Sequence, residues 1–198
     1  MPSDLPPLVI ATRNSHKSGE IREMIGDRYQ VLDVNDFPLM PEVEETGTTF
    51  LENAALKALA ISREVAGMVL SDDSGLEVDA LGGAPGVWSS SYGGEEGNHA
   101  KNNERLMAEM AGKTDRTARF RCTMVLARGG EVLADFSGSV EGRILESPYG
   151  EGGFGYDPLF APDGHSRSFA ELGAEVKNAL SHRGRALAKV VEWLENQA

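Results

Sequence analysis

The chain has 198 residues and a formal net charge of −12, with 31 acidic side chains against 19 lysines and arginines. That balance excludes broad electrostatic binding of DNA or RNA but leaves open a small polyphosphate held by local cations. With 40% hydrophobic residues the chain can bury a sizeable core as a single domain over 1–198, and no apolar run approaches the roughly 20 residues that cross a bilayer. No basic region followed by an apolar one opens the sequence, and Cys122 stands alone; a reducing cytoplasm is the expected setting.

In chain order, Leu8-Val9-Ile10-Ala11 predicts a short strand and Glu20 to Ile25 a helix with Ile21, Met24 and Ile25 on one face. Between them lies Thr12-Arg13-Asn14-Ser15-His16-Lys17. Strand, polar turn and helix together gather backbone N–H groups around an anion. Thr12 and Asn14 would add donors there and Lys17 charge, although a plain surface turn fits the same residues. The glycine spacing of a Walker loop is absent. Tyr29 to Val34 predicts a second strand, and Phe37 to Val43 a proline-punctuated connection. Thr49 and Glu52 have the spacing of a capping box, so a helix is expected from Phe50 to about Ala66. Phe50, Asn53 and Lys57 share one face of it, as a cleft-facing stripe or as a solvated edge. Glu45, just before this helix, suits the helix dipole and is equally a candidate cation ligand.

Gly67 to Val78 is the most informative stretch, because an apolar run ends in Ser71-Asp72-Asp73-Ser74-Gly75. Successive carboxylates at the end of a strand repel each other and are costly to bury without a counter-charge. A divalent cation would supply it; an exposed turn uses the same residue types. Gly82-Gly83-Ala84-Pro85-Gly86-Val87 predicts a tightly shaped loop, and Trp88 and Tyr92 flank three serines. A helix follows from His99 to Met110 with Asn98 as its cap. Ala118, Phe120, Cys122, Met124 and Leu126 alternate with polar residues, and the pattern resumes after Gly129-Gly130 at Val132, Ala134, Phe136 and Val140. This is an antiparallel pair with one buried face, in which Cys122 fills core space.

Gly150-Glu151-Gly152-Gly153-Phe154-Gly155-Tyr156-Asp157 is the second unusual stretch. Its glycines let backbone approach a ligand, Phe154 offers a stacking face, and Asp157 could accept hydrogen bonds from a base edge. A structural loop with a core Phe is the alternative. Ser168 and Glu171 form another capping box, and Ser181 would cap a terminal helix whose inner face is Ala186, Leu187, Val190, Val191 and Leu194. His182 and Arg183 then fall in its first turn, where the helix dipole disfavours positive charge unless an anion or carbonyl is near. No His and Cys cluster has zinc spacing and no nucleophile elbow appears. Hard acids, scattered cations and one stacking aromatic together indicate a nucleoside polyphosphate with magnesium.

The motifs carry a resemblance over nearly the whole chain, in one order. Thr12-Arg13-Asn14-Ser15-His16-Lys17, Glu45 to Ala54, Asp72-Asp73-Ser74-Gly75-Leu76, Gly82 to Val87, Gly153 to Pro158 and Ser181-His182-Arg183-Gly184 resemble the inosine triphosphate pyrophosphatase family. Arg13 stands where its bacterial members often have Gly, and Ser91 where they often have Arg. The resemblance implies an α/β fold, a long mixed twisted sheet flanked by helices, with two lobes and an active-site cleft between them. It implies magnesium-dependent hydrolysis of non-standard purine nucleoside triphosphates (ITP, dITP, XTP) to the monophosphate and pyrophosphate, by a homodimer. In that reading Asp73 is the general base and a metal-linked carboxylate, with Glu45 and Asp72 as accompanying acids. Thr12, Arg13, Asn14, Ser15, His16, Lys17, Lys57 and Ser74 hold the triphosphate, while Phe154, Gly155, Tyr156, Asp157, Lys177, His182 and Arg183 surround the purine. Rival readings are a pyrophosphatase for other modified nucleotides and a nucleotide-binding module that does not hydrolyse.

Overall fold

The computed structural model describes residues 5–197. Six strands, β1 (Pro7–Ile10), β2 (Gln30–Asp33), β3 (Met68–Val78), β4 (Thr117–Arg128), β5 (Glu131–Ile144) and β6 (Phe160–Pro162), form a sheet in the order β2-β1-β3-β4-β5-β6. The helices are α1 (Ser15–Ile25), α2 (Phe50–Glu64), α3 (His99–Met110), α4 (Phe169–Leu172), α5 (Ala174–Leu180) and α6 (His182–Glu195). β1 runs parallel to β2, with Val9 opposite Leu32, and parallel to β3, with Val9 opposite Val69. β6 is antiparallel to β5, so the sheet is mixed and the fold is α/β, as expected. Among the described residues no helix is long and apolar enough to cross a membrane.

Local chemistry sets the boundaries. The Asn14 side chain accepts hydrogen bonds from the backbone N–H groups of His16 (3.0 Å) and Lys17 (3.3 Å). That N-cap starts α1 at Ser15 rather than Glu20. β2 stops at Asp33 because Val34–Asp36 forms a tight turn closed by reciprocal carboxylate bonds. α2 begins where Thr49 and Glu52 place it, with both arms of the capping box made, and ends at Glu64. β3 ends at Val78, where Asp79–Leu81 turns into a 3-10 segment. α5 and β6 are additions to the sequence reading. The β4–β5 hairpin turns on Gly129 and Gly130, whose φ values of 60° and 85° suit a two-residue turn with the twist of the strands.

The chain divides into two compact units. Among the described residues, unit 1 comprises 5–73, 122–137 and 186–197, and unit 2 comprises 74–121 and 138–185. In unit 1 strand alternation sorts side chains onto two cores. Leu8, Ile10, Leu70, Cys122, Met124 and Leu126 pack with Ile21 and Ile25 of α1 and Leu187 and Val190 of α6. On the opposite face, Val9, Ala11 and Val69 pack with Ile61 of α2, and Val125 and Ala127 with Ala54 and Ala58 of the same helix. Unit 2 has its own core, in which Leu76, Val78, Phe120 and Ile144 pack with Leu106 and Met110 of α3 and with Phe160 and Phe169. At about 1.5–3 kcal/mol for each fully buried large apolar side chain, these cores make the strands a firm base for polar groups at their ends.

Candidate active site

Unit 1 gathers acids and lysines where β3 leaves its apolar stretch. Ser71 and Asp73 share the face of β3 turned to α2, and the Ser71 hydroxyl donates to the Ala54 carbonyl of that helix. Lys57, one turn further along α2, donates from Nζ to the Asp72 backbone carbonyl at 2.9 Å. The same ammonium lies 3.1 Å from Glu45 Oε1 and 3.8 Å from Asp73 Oδ1. Lys57 and its stripe partners Phe50 and Asn53 are therefore not a solvated edge: Phe50 and Asn53 are buried. Asn53 Oδ1 accepts the Gly47 N–H at 2.7 Å, which fixes the segment carrying Glu45.

Asp72, on the opposite face of the strand, makes different contacts. Its fully buried carboxylate is 2.9 Å from Lys17 Nζ, and the Cys122 thiol donates to its other oxygen at 3.5 Å. Cys122 is buried in the core, as its place in the β4 pattern predicts, and also partners Asp72. That partnership gives no sequence signal, because the two residues are 50 positions apart. Asp73 is 6% exposed. Burial pushes its carboxyl up to about 6; Lys57 and Lys17 oppose the shift, while Glu45 and Asp72 add to it. A carboxyl with that affinity is ionised above neutral pH yet still takes a proton readily, as a general base must.

The remaining residues of the first polar turn are used in different ways. Thr12 Oγ1 accepts the Asn14 N–H at 3.2 Å. Arg13 reaches away from the turn and donates to the Met40 carbonyl at 2.9 Å. The Ser15 carbonyl accepts from Ser18, and His16 lies exposed in the first turn of α1.

Unit 2 gathers the second cluster. Asp157 Oδ2 accepts the Phe154 N–H at 2.8 Å and pairs with Lys177 Nζ at 2.7 Å, with both Asp157 and Lys177 buried. A Cβ on Gly153 would collide with that Asp157 oxygen, and the φ of 72° there favours glycine independently. Lys177 Nζ lies over the Phe154 ring, 4.5 Å from its centroid, and the Arg183 guanidinium lies 5.8 Å from it. Arg183 is 2% exposed and donates from Nη2 to Ser74 Oγ at 2.8 Å. His182 stacks on Phe120, with centroids 4.8 Å apart and planes 11° from parallel. Ser181 accepts the Gly184 N–H at 3.0 Å and so caps α6, holding His182 and Arg183 in its first turn. Gly155 and Tyr156 complete the loop; the Tyr156 hydroxyl donates to the Ser89 carbonyl at 2.9 Å. Near the position that lacks the family arginine, Arg105 stacks over the Tyr92 ring at 4.2 Å.

Among the described residues no group of three or more His, Cys, Asp or Glu has the arrangement of a metal cage. Glu45 and Asp73 do converge on one cation, the Lys57 ammonium. Two hard carboxylates facing one positive charge match the chemistry of magnesium, which takes one or two carboxylates and completes its shell with phosphates and water.

The Ham1 family model matches residues 8–193. A dITP/XTP pyrophosphatase of Streptococcus pyogenes serotype M3 is 49% identical over 189 residues, covering 93% of this chain and 58% of that protein. The chain thus spans less than two thirds of the length of that relative. A dITP/XTP pyrophosphatase of Shouchella clausii is 45% identical over 190 residues, 95% of this chain and 96% of that protein. The structure of the Staphylococcus aureus Ham1 protein is similar with a TM-score of 0.87 at 38% identity, covering 97% of this chain and 100% of that one. The match begins in β1 and ends in α6, and it takes in every motif on which the family resemblance rests, so the chain belongs to the Ham1 family.

Proposed function

We propose that this chain hydrolyses the non-standard purine nucleoside triphosphates ITP, dITP and XTP to the nucleoside monophosphate and pyrophosphate, with magnesium. The observation that carries the reading is Asp73: a buried carboxyl raised to about 6, with the Lys57 ammonium 3.8 Å from it and Glu45 on the same ammonium. Hydrolysis at the α-phosphorus needs a water to be oriented and deprotonated and charge on the phosphoryl oxygens to be offset. In this assignment Asp73 takes the proton from water, and Lys17 and Lys57 face the phosphoryl charge. The turn from Thr12 to Lys17 completes the phosphate contacts of unit 1. Glu45 and Asp73 would hold magnesium, with Asp72 adding negative field from the other face of β3. When bound, the metal acidifies water and offsets phosphoryl charge.

The unit 2 cluster is assigned to the base. Phe154 stacks on the purine, and Asp157 and Lys177 fix the peptide that carries it. Hypoxanthine and xanthine present a carbonyl at position 6 where adenine presents an amino group. A donor from His182 or Arg183 pairs with the first and is left unmatched by the second, a penalty of about 1–3 kcal/mol. The names of the relatives, dITP/XTP pyrophosphatases, support the same substrate class. The reading extends to a cytoplasmic homodimer that clears such nucleotides from the pool.

The test is product analysis with purified protein and magnesium on ITP, XTP, dITP, GTP, ATP and dUTP. Inosine monophosphate plus pyrophosphate, formed much faster than AMP or GMP, is the expected result. Diphosphate plus free phosphate would overturn the bond assignment. Binding of ITP without turnover would make the protein a nucleotide-binding module.

A further inference from the structure

The loop that carries Phe154 lacks side-chain packing of its own, since residues on both sides of the ring, Gly153 and Gly155, are glycines with φ of 72° and 65°. Tethers must hold it. On one side Asp157 grips the Phe154 N–H. On the other, a residue outside the proposed site takes hold: Asn103 of α3 donates from Nδ2 to the Gly155 carbonyl at 3.0 Å, across 52 positions of sequence. One helical turn earlier on the same face of α3, His99 lies against the Phe154 ring, with centroids 6.2 Å apart and planes at 46°.

We propose that Asn103 is a positioning residue for Phe154, acting through the Gly155 carbonyl, and that it thereby sets affinity for the purine base; the inference rests on the pyrophosphatase reading. The Asn103 amide has one possible sense. A carbonyl only accepts, so Nδ2 must face Gly155 and Oδ1 must face away. In that orientation Oδ1 is buried and has no hydrogen-bond partner among the described residues. A buried acceptor in that state costs stability, and an apolar residue of the same size would not incur the cost. Asparagine at this place is therefore a poor choice for holding α3 and a good one for holding the peptide next to the stacking ring. A positioning role and a purely structural role make opposite predictions for its replacement.

The experiment compares wild type with Asn103→Leu, which keeps the heavy-atom branching but is apolar, and Asn103→Asp, which keeps the shape and carries no N–H. Binding of inosine monophosphate and of inorganic pyrophosphate is measured by calorimetry, alongside thermal melts and ITP kinetics. In both variants inosine monophosphate should bind roughly tenfold more weakly, with pyrophosphate affinity unchanged. KM for ITP should rise while kcat stays within about twofold, and Asn103→Leu should melt no lower than wild type. Unchanged affinity for inosine monophosphate in the variants overturns the inference while leaving the pyrophosphatase reading intact. Equal weakening of both ligands together with a lower melting temperature also overturns it, since that is the mark of a structural residue. Wild-type protein that binds neither ligand refutes the pyrophosphatase reading and the inference with it.

Discussion

Asp73→Asn should stop turnover and make the protein more stable. The carboxyl is raised from 3.8 to about 6, mainly by burial, a shift of about two units. At about 1.4 kcal/mol per unit, ionising Asp73 in the folded protein costs up to about 3 kcal/mol. Its exposure of 6% leaves little solvent screening to reduce that figure. The sign follows from linkage. A folded-state pKa above the unfolded one gives stability that is present in full below pH 3.8 and is lost as pH rises through about 6. At pH 8 the penalty is complete in the wild type, and asparagine, neutral and of the same shape, removes it.

For a chain of this length 1 kcal/mol corresponds to roughly 2–4 °C. Asp73→Asn should therefore melt up to about 10 °C above wild type at pH 8, with the gap about halved at pH 5 and nearly closed below about pH 4. Melts in EDTA keep metal linkage out of the comparison. Turnover of ITP with magnesium should fall by at least about 100-fold, the usual loss when a general base is removed. A variant that melts lower than wild type at pH 8 would show that Lys17 and Lys57 outweigh burial and would refute this account of the carboxyl.

Three further changes test neighbouring parts. Lys57→Met removes the cation shared by Glu45 and Asp73, so Asp73 should rise further and the acid limb of the kcat/KM profile should move to higher pH; an unmoved limb would separate Lys57 from the base. Gly184→Ala places a Cβ against the Asn178 carbonyl, and the forced backbone shift should cost about 1–3 kcal/mol, read as a lower melting temperature and weaker binding of inosine monophosphate. Ser181→Ala deletes the cap of α6 and should cost about 1 kcal/mol, or roughly 2–4 °C, measurable by scanning calorimetry.

The fold was most legible where one residue type has one physical use. The boxes Thr49 with Glu52 and Ser168 with Glu171 start α2 and α4 where the spacing puts them. The alternation through Phe120, Cys122 and Met124 marks the buried face of β4. α5 was illegible because its N-cap, Gly173, offers no side-chain bond and its seven residues carry no long apolar period. β6 is three residues long, too short for a pattern of period two to register. For the site, residue types were readable and partners were not. Lys17, Lys57 and the three acids stand out as charges, but which lysine serves which acid depends on strand faces and on contacts far apart in sequence.

The adjacent acids Asp72 and Asp73 show how much follows from that geometry. Read along the sequence they are a matched pair. On β3 their side chains point to opposite faces, one toward Lys17 and Cys122, the other toward Lys57 and Glu45. Asp72 is fully buried and in ion-pair contact with a lysine whose side chain is only 16% exposed. Asp72→Asn removes that carboxylate while leaving the ammonium in place. Removing one member of a buried pair costs about 3–5 kcal/mol, and since the Lys17 ammonium retains some access to water the low end applies. The variant should melt roughly 6–12 °C below wild type at pH 8, whereas Asp73→Asn should melt above it. Both substitutions delete one negative charge from neighbouring residues of an acidic protein, so relief of general repulsion would shift them together. Opposite shifts can arise only from the two faces of the strand. If the two variants move in the same direction, alternation does not govern this cluster, and the assignment of Asp73 as the base loses its structural argument.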